Sequence, residues 1–204
     1  MKPNVYIFKN CTKNNSFMQN SKKTFAIPFV EETTLAFEES FIKIKRDRLR
    51  LAHEDPYSYY TLITPPQAVV VLARTADGYY VLNEEYRHPT KKMLLCFPGG
   101  FIDDNENPLA AAKRELEEET GYTAESFHLL GSAYPYPGIS GQKTFYVKAL
   151  GAKFNTSPRL EPSEIIQTRL CSFDQLKEMI SKNAELDGTL CTALFFNSLS
   201  ESTS

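Results

Sequence analysis

The sequence predicts a mixed α/β domain, with strands meeting mainly antiparallel, helices packed on the sheet, and a small antiparallel β extension in front. Three observations lead there. Short β-branched and aromatic runs recur between Gln67 and Cys171, two helices carry readable caps, and a double proline, Pro65-Pro66, separates these from an earlier set of β-type patches. At 204 residues the chain can bury one sizeable core, or one core plus a small extension.

Residues 1–22 are rich in Lys, Asn and Ser without any period and read as a flexible arm. The extension follows over 23–64 and the main domain over 65–204. In the extension, "TFAIPFV" and "FIKIKRDRL" are β-type, and "PYSYYTLI" is an aromatic cluster. Phe41, Ile42, Ile44 and Leu49 stand against Lys43, Lys45, Arg46 and Arg48, roughly the alternation of a half-exposed strand. In the main domain "QAVVVLAR" and "GYYVLNEEYR" are strands joined through "TADG", with Gly78 at the turn. "MLLCFPGGF" is a strand broken by Pro98-Gly99-Gly100, and "SFHLLGSAY", "KTFYVKAL" and "EIIQTRLC" follow as strands. Ser172 with Gln175 three residues on forms a capping box ahead of a helix in "SFDQLKEMISK", and a last helix covers "TLCTALFFNSL".

The net charge is −2 and no Lys/Arg block stands out, so the expectation is no nucleic-acid partner and no anionic membrane surface. No run approaches the ~18 apolar residues of a membrane span, and the N-terminal stretch lacks the apolar core of a signal peptide. A cytoplasmic protein is expected. Cys11, Cys96, Cys171 and Cys191 have no C-x-x-C spacing, and buried free thiols are the plain reading.

The stretch "GFIDDNENPLAAAKRELEEETGY", Gly100 to Tyr122, carries the chemistry. Asn107 can cap a helix, Pro108 suits its first position and Gly121 suits a left-handed residue after its last turn, which predicts a helix from Pro108 to Thr120. Leu109, Ala112 and Leu116 share the face expected on the sheet. Glu115, Glu118 and Glu119 share an adjacent face, where they repel one another and oppose the helix dipole. A solvated acidic face is the bland explanation. A divalent cation is the sharper one, because hard ions such as Mg²⁺ or Mn²⁺ take carboxylate and carbonyl oxygens, and Arg114 can balance part of the charge by pairing with Glu118.

The spacing Gly100, Glu106, Arg114-Glu115-Leu116, Glu118-Glu119, Gly121, Tyr122 resembles the complete signature of the Nudix hydrolase family. The resemblance covers about Gln67 to Phe196. It implies an α/β/α sandwich with a mixed sheet, and hydrolysis of a pyrophosphate linkage in a nucleoside diphosphate joined to another group. It further implies that Glu115 and Glu119 are the main metal ligands, with Glu118 a third and the Gly99 carbonyl completing the shell. By the same resemblance Arg114 orients the carboxylates, Glu106 steadies the loop, and Gly100 allows a tight backbone turn beside the phosphates.

"EEYRHP" with Arg87 and "YPYPG" with Pro137 resemble the ADP-ribose pyrophosphatase branch, in which the arginine contacts phosphate and a proline-bearing loop follows the signature. That branch implies a homodimer built through the N-terminal extension. Arg87 could equally form a surface ion pair with Glu84 or Glu85, and Pro137 an ordinary turn. One departure stands out: where many members carry a water-activating glutamate in the loop after the proline, this chain has Gln142, which cannot accept a proton. Glu161 or Glu164 in "LEPSEII", or a signature glutamate, is then the candidate base. His53, His88 and His128 are dispersed, with His88 a possible phosphate contact. Tyr134 and Tyr136 flank the loop and suit either the core or stacking on a base. The expected activity is Mg²⁺-dependent hydrolysis of ADP-ribose or a related nucleoside diphosphate sugar. Other substrates (a GDP-sugar, NADH, a diadenosine polyphosphate) and a ligand sensor on the same scaffold remain open at this point.

Overall fold

Three strands come first, β1 (Phe29–Glu39), β2 (Ile42–Arg50) and β3 (Tyr57–Ile63), and they pair as an antiparallel sheet in that order. The computed structural model describes residues 26–202 apart from 41 and 53, so the expectations placed on residues 1–22, Cys11, Phe41 and His53 lie outside the described residues. Of the described residues of the patch "TFAIPFV" only Phe29 and Val30 belong to β1, which continues through the polar "EETT". Cross-strand bonds explain that continuation: Thr33 Oγ1 donates to Asp47 Oδ1 at 2.6 Å, and Arg48 Nε donates to Glu31 at 3.0 Å. By compactness the chain forms two units, one of the described residues up to Thr34 with Arg46–Tyr59, the other of Leu35–Lys45 with the residues from Tyr60 onward.

Among the described residues, seven strands and three helices follow β3. After β4 (Gln67–Thr75), β5 (Tyr80–Arg87) and β6 (Lys92–Cys96) come α1 (Pro108–Thr120), β7 (Tyr122–Thr123), β8 (Ser126–Ala133) and β9 (Lys143–Phe154). The chain ends with β10 (Ile166–Cys171), α2 (Phe173–Ser181) and α3 (Gly188–Glu201). The sheet runs β10-β5-β4-β9-β7, with β6 on β5 and β8 on β9. All these neighbours are antiparallel except β4 and β9, which pair in parallel from Gln67 opposite Lys143. The sheet is therefore mixed. Gly78 closes the β4–β5 hairpin at φ 95°, a backbone angle that L side chains rarely adopt.

Strand β4 shows why the sheet needs layers on both sides. Val69, Val71 and Ala73 face a cluster with Ala111, Ala112 and Leu116 of α1, whereas Val70 and Leu72 face Leu176 of α2 and Leu190 and Ala193 of α3. A strand covered on both faces reads as an unbroken apolar run, and "AVVVLA" is one. The result is an α/β/α sandwich.

Helix α1 has the bounds and caps its sequence predicts, with Asn107 Oδ1 accepting from the amides of Leu109 and Ala110 and Gly121 left-handed at φ 72°. Helix α2 has the expected capping box between Ser172 and Gln175. Leu109 departs from expectation: it is 40% exposed, while the buried face comprises Ala111, Ala112, Glu115, Leu116, Glu119 and Thr120. It points the same way as buried Leu116 and Thr120 but sits in the first turn, at the end of the helix. The buried face includes two carboxylates, Glu115 and Glu119. Cys96 and Cys171 are buried free thiols, but Cys191 is exposed, on the outer side of α3. Among the described residues no helix is long and apolar enough to cross a membrane.

Candidate active site

Site construction begins where β6 ends. Pro98 and Gly100 give their carbonyls to the amides of Val71 and Val69, each at 2.8 Å, so this segment runs beside β4. Gly99, between them, directs its N–H the other way, to Glu119 Oε2 at 3.0 Å. A side chain at Gly99 would overlap the Val69 carbonyl oxygen, and one at Gly100 would overlap the Glu115 carboxylate. Neither glycine has a positive φ. What glycine at 100 provides in this structure is room for a carboxylate.

Arg114 ties the loop to the helix. Its Nε and Nη2 meet Glu106 Oε1 and Oε2 at 3.1 and 2.9 Å, Nη2 also reaches the Phe101 carbonyl at 2.9 Å, and Nη1 meets Glu115 Oε1 at 2.7 Å and Glu118 Oε2 at 3.2 Å. Glu106 closes the loop by accepting from the Asp103 amide at 3.2 Å. The guanidinium holds the Glu106 carboxyl below the usual range, and the carboxylates in turn raise Arg114, which stays charged at every working pH.

Glu115 and Glu119 are in a different situation. Burial pushes both carboxyls up, against the bonds from Arg114 and from the Gly99 amide respectively, and Glu119 is raised to about 9. Their neighbours add to the effect, since Glu118, Glu85 and Glu164 bring further negative charge.

These residues line one cavity of about 420 Å³. It brings together Gly99, Gly100, Arg114, Glu115, Glu118 and Glu119 with Arg87, Gln142, Glu161 and Glu164, far apart in sequence. Arg87 is exposed and pairs with Glu85, while Glu84 is engaged by Arg169 at 2.7 Å. Gln142 Nε2 donates to the Pro65 carbonyl at 2.9 Å, fastening its loop to the double proline. Glu164 accepts from the Glu161 amide at 2.8 Å, so both carboxylates stand on one turn. Pro137 is not part of the cavity lining: it is exposed in the turn before Ser140, and Pro135 and Tyr136 reach the cavity instead. Tyr134 and Tyr136 are both exposed rather than core. His88 is exposed beside Tyr86, 3.4 Å from its hydroxyl, and His128 bonds Ser126 at 3.1 Å on β8.

Sequence reasoning missed Asn83, Glu85, Arg159 and Asp187. Asn83 and Glu85 share with Val81 and Arg87 the alternate positions of β5 that face α1, and polar residues at such positions in an apolar strand were the available signal. Asp187 caps α3, accepting from the Thr189 amide at 2.8 Å, and both line the cavity. Arg159 sits in the loop before β10, its amide bonded to the Glu118 carbonyl at 2.7 Å.

Among the described residues no group of three or more His, Cys, Asp or Glu side chains is gathered to hold an ion as it stands. Arg114 holds Glu115 and Glu118, while Gly99 and Asn83 hold Glu119. The donor set nevertheless fits a hard divalent ion, because every donor is an oxygen, buried Glu115 and half-buried Glu118 share a single guanidinium as counter-charge, and buried Glu119 is met by neutral donors.

A layered α/β/α sheet that sets clustered helix carboxylates and arginines around one cleft offers the groups that metal-assisted hydrolysis of a phosphorylated small molecule needs. The NUDIX domain description matches residues 64–190, more than half of the chain, and the chain belongs to the Nudix family of hydrolases. The family generally uses divalent metal ions. The chain is 29% identical over 177 residues to a methanol dehydrogenase activator from Bacillus methanolicus, covering 84% of this chain and 95% of that protein. It is 26% identical over 178 residues to an ADP-ribose pyrophosphatase from Bacillus subtilis, with the same coverage of 84% and 95%. A shorter match, 45% identical over 80 residues, links it to an ADP-sugar pyrophosphatase from Mus musculus, covering 39% of this chain and 37% of that one. The crystal structure of an ADP compounds hydrolase superposes with a TM-score of 0.77 at 21% identity, covering 86% of this chain and 95% of that chain, and so shares the fold.

Proposed function

We propose that the chain hydrolyses the pyrophosphate bond of ADP-ribose, or of a related nucleoside diphosphate sugar, to AMP and a sugar phosphate. The observation that carries this reading is the convergence on one cleft of Glu115, Glu118 and Glu119 with Arg87 and Glu164. The names of the relatives from Bacillus subtilis and Mus musculus support the substrate class.

Glu115, Glu118 and Glu119, with the Gly99 carbonyl, would hold Mg²⁺, for which Mn²⁺ is the expected substitute. Such an ion supplies neutralisation of phosphate oxygens and Lewis acidity toward water. Arg114 keeps Glu115 and Glu118 from drifting apart and fixes the loop whose Gly100 gives Glu115 room. Arg87 offers a cation to the diphosphate in exchange for its pairing with Glu85. Water attacks one phosphorus, the bridging P–O bond breaks, and the departing oxygen stays with the other phosphate. Glu164 takes the proton of that water, because Gln142 cannot and is tied to Pro65.

The domain scheme we propose is a dimerisation element over 23–64 and a hydrolase domain over 65–204. Exposed Phe29, Val30, Phe37, Tyr57 and Tyr60 in the small sheet support a homodimer. The free thiols Cys96, Cys171 and Cys191 are in keeping with a cytoplasmic setting. A substrate panel tests the proposal: AMP release from ADP-ribose should exceed release of nucleotide from GDP-mannose, NADH and a diadenosine polyphosphate. Preference for any of those three would reassign the substrate, and ligand binding without turnover of any would make the chain a sensor.

A further inference from the structure

Asn83 is fully buried in the middle of β5, where a branched apolar residue would be the ordinary choice. A buried carboxamide is costly unless its polar atoms are paired, and this one is paired in a definite sense. Nδ2 donates to Glu119 Oε2 at 2.9 Å, and Oδ1 accepts from Thr168 Oγ1 of the neighbouring β10 at 3.2 Å. The cross-strand register explains the second bond, since Thr168 lies directly opposite Asn83. Glu119 Oε2 already accepts from the Gly99 N–H, so the amide nitrogen faces that oxygen, and a hydroxyl donor at Thr168 keeps the amide from turning over.

We infer that Asn83 is a positioning residue for the metal ligand Glu119, and that Thr168 acts through it. This rests on the metal-dependent reading given above. Glu119 Oε2 receives both the Asn83 amide and the Gly99 N–H, one donor arriving from β5 and the other from the segment that follows β6. That oxygen is thereby fixed, and Oε1, which takes no hydrogen bond from a described residue, is the one left to a ligand. Val81, Asn83, Glu85 and Arg87 share one face of β5, so the strand passes from core packing at Val81, through carboxylate positioning, to the cavity wall. Partners that orient metal ligands typically change metal affinity by about 10–100-fold when removed.

The test is direct binding of Mn²⁺, followed by electron paramagnetic resonance, for wild type, Asn83→Leu, Thr168→Val and the double variant, with the cooperative melt recorded for each. Expected are a Kd for Mn²⁺ raised about tenfold or more in Asn83→Leu, a smaller rise in Thr168→Val, and no additional rise when Thr168→Val is added to Asn83→Leu. Turnover should show the same order in kcat, with KM for the nucleotide little changed. A Kd in Asn83→Leu within about twofold of wild type, or additive effects of the two substitutions, overturns the inference while leaving the proposed function intact. If Asn83→Leu does not fold, Thr168→Val decides alone: an unchanged Kd overturns the inference. Wild type that binds no Mn²⁺ overturns both this inference and the function on which it rests.

Discussion

Arg114 and Glu106, eight residues apart, are joined by two parallel bonds, Nε to Oε1 at 3.1 Å and Nη2 to Oε2 at 2.9 Å. This fork holds the loop to the helix while the third nitrogen reaches Glu115 and Glu118. A lysine keeps the charge but cannot make the planar pair and reach the helix carboxylates together. Arg114→Lys is expected to lower kcat about tenfold or more and Tm by roughly 3 °C, measured by turnover and calorimetry. Unchanged kcat would deny Arg114 its orienting role.

Gly99 and Gly100 are adjacent but should fail differently. The added methyl of Gly99→Ala meets the Val69 backbone and must push the segment off β4, so this variant should lose stability first. In Gly100→Ala the methyl meets the carboxylate of Glu115, which can swing aside. That variant should melt near wild type yet bind Mn²⁺ at least about tenfold more weakly. Thermal melts and Mn²⁺ titrations of both proteins separate the two outcomes.

Burial raises the Glu119 carboxyl from 4.5 to about 9, and this gives the metal-free protein a signed pH dependence. The folded state holds the proton more tightly than the unfolded chain, so the contribution is fully present below about pH 4.5 and is lost as pH rises toward 9. In EDTA, Tm should therefore fall across that window, less steeply in Glu119→Gln, which should melt roughly 5 °C above wild type at pH 8. The amide oxygen of glutamine can still accept from Gly99 and Asn83. Added Mg²⁺ at one hundred times Kd should restore about 2.7 kcal/mol to wild type and little to the variant.

Glu164 and Glu161 share a turn, but only Glu164 is assigned the proton. Glu164→Gln keeps an oxygen for the Glu161 amide and removes the base, so kcat should drop about 100-fold or more with the loop intact. Glu161→Gln should change kcat by less than about threefold. Gln142→Ala, which frees the loop from Pro65, should act on KM rather than on kcat. A larger kcat loss in Glu161→Gln than in Glu164→Gln would exchange their roles.

The helix that carries the site was legible almost to the residue, because its limits are local: Asn107, Pro108 and Gly121 act on backbone groups within one turn. The same holds for the Ser172–Gln175 box. What was not legible depends on partners far along the chain. Nothing in "QAVVVLAR" or "KTFYVKAL" announces that β4 and β9 run parallel, nor does "YVLNEEYR" reveal that Asn83 answers Glu119, 36 residues away. Leu109 has the right period for burial, in line with buried Leu116 and Thr120, but it stands in the first turn at the end of the helix and is 40% exposed. Pro137 has the expected spacing, but the turn directs Pro135 and Tyr136 to the cavity.

The most direct test of the account follows ADP-ribose by phosphorus NMR with wild-type protein and Mg²⁺, beside an EDTA control and Glu119→Gln. Wild type with Mg²⁺ is expected to convert the diphosphate signals to those of AMP and ribose 5-phosphate, with a rate lower by about 100-fold or more in both controls. Equal turnover by Glu119→Gln, or persistence of the diphosphate with wild type and Mg²⁺, would contradict it.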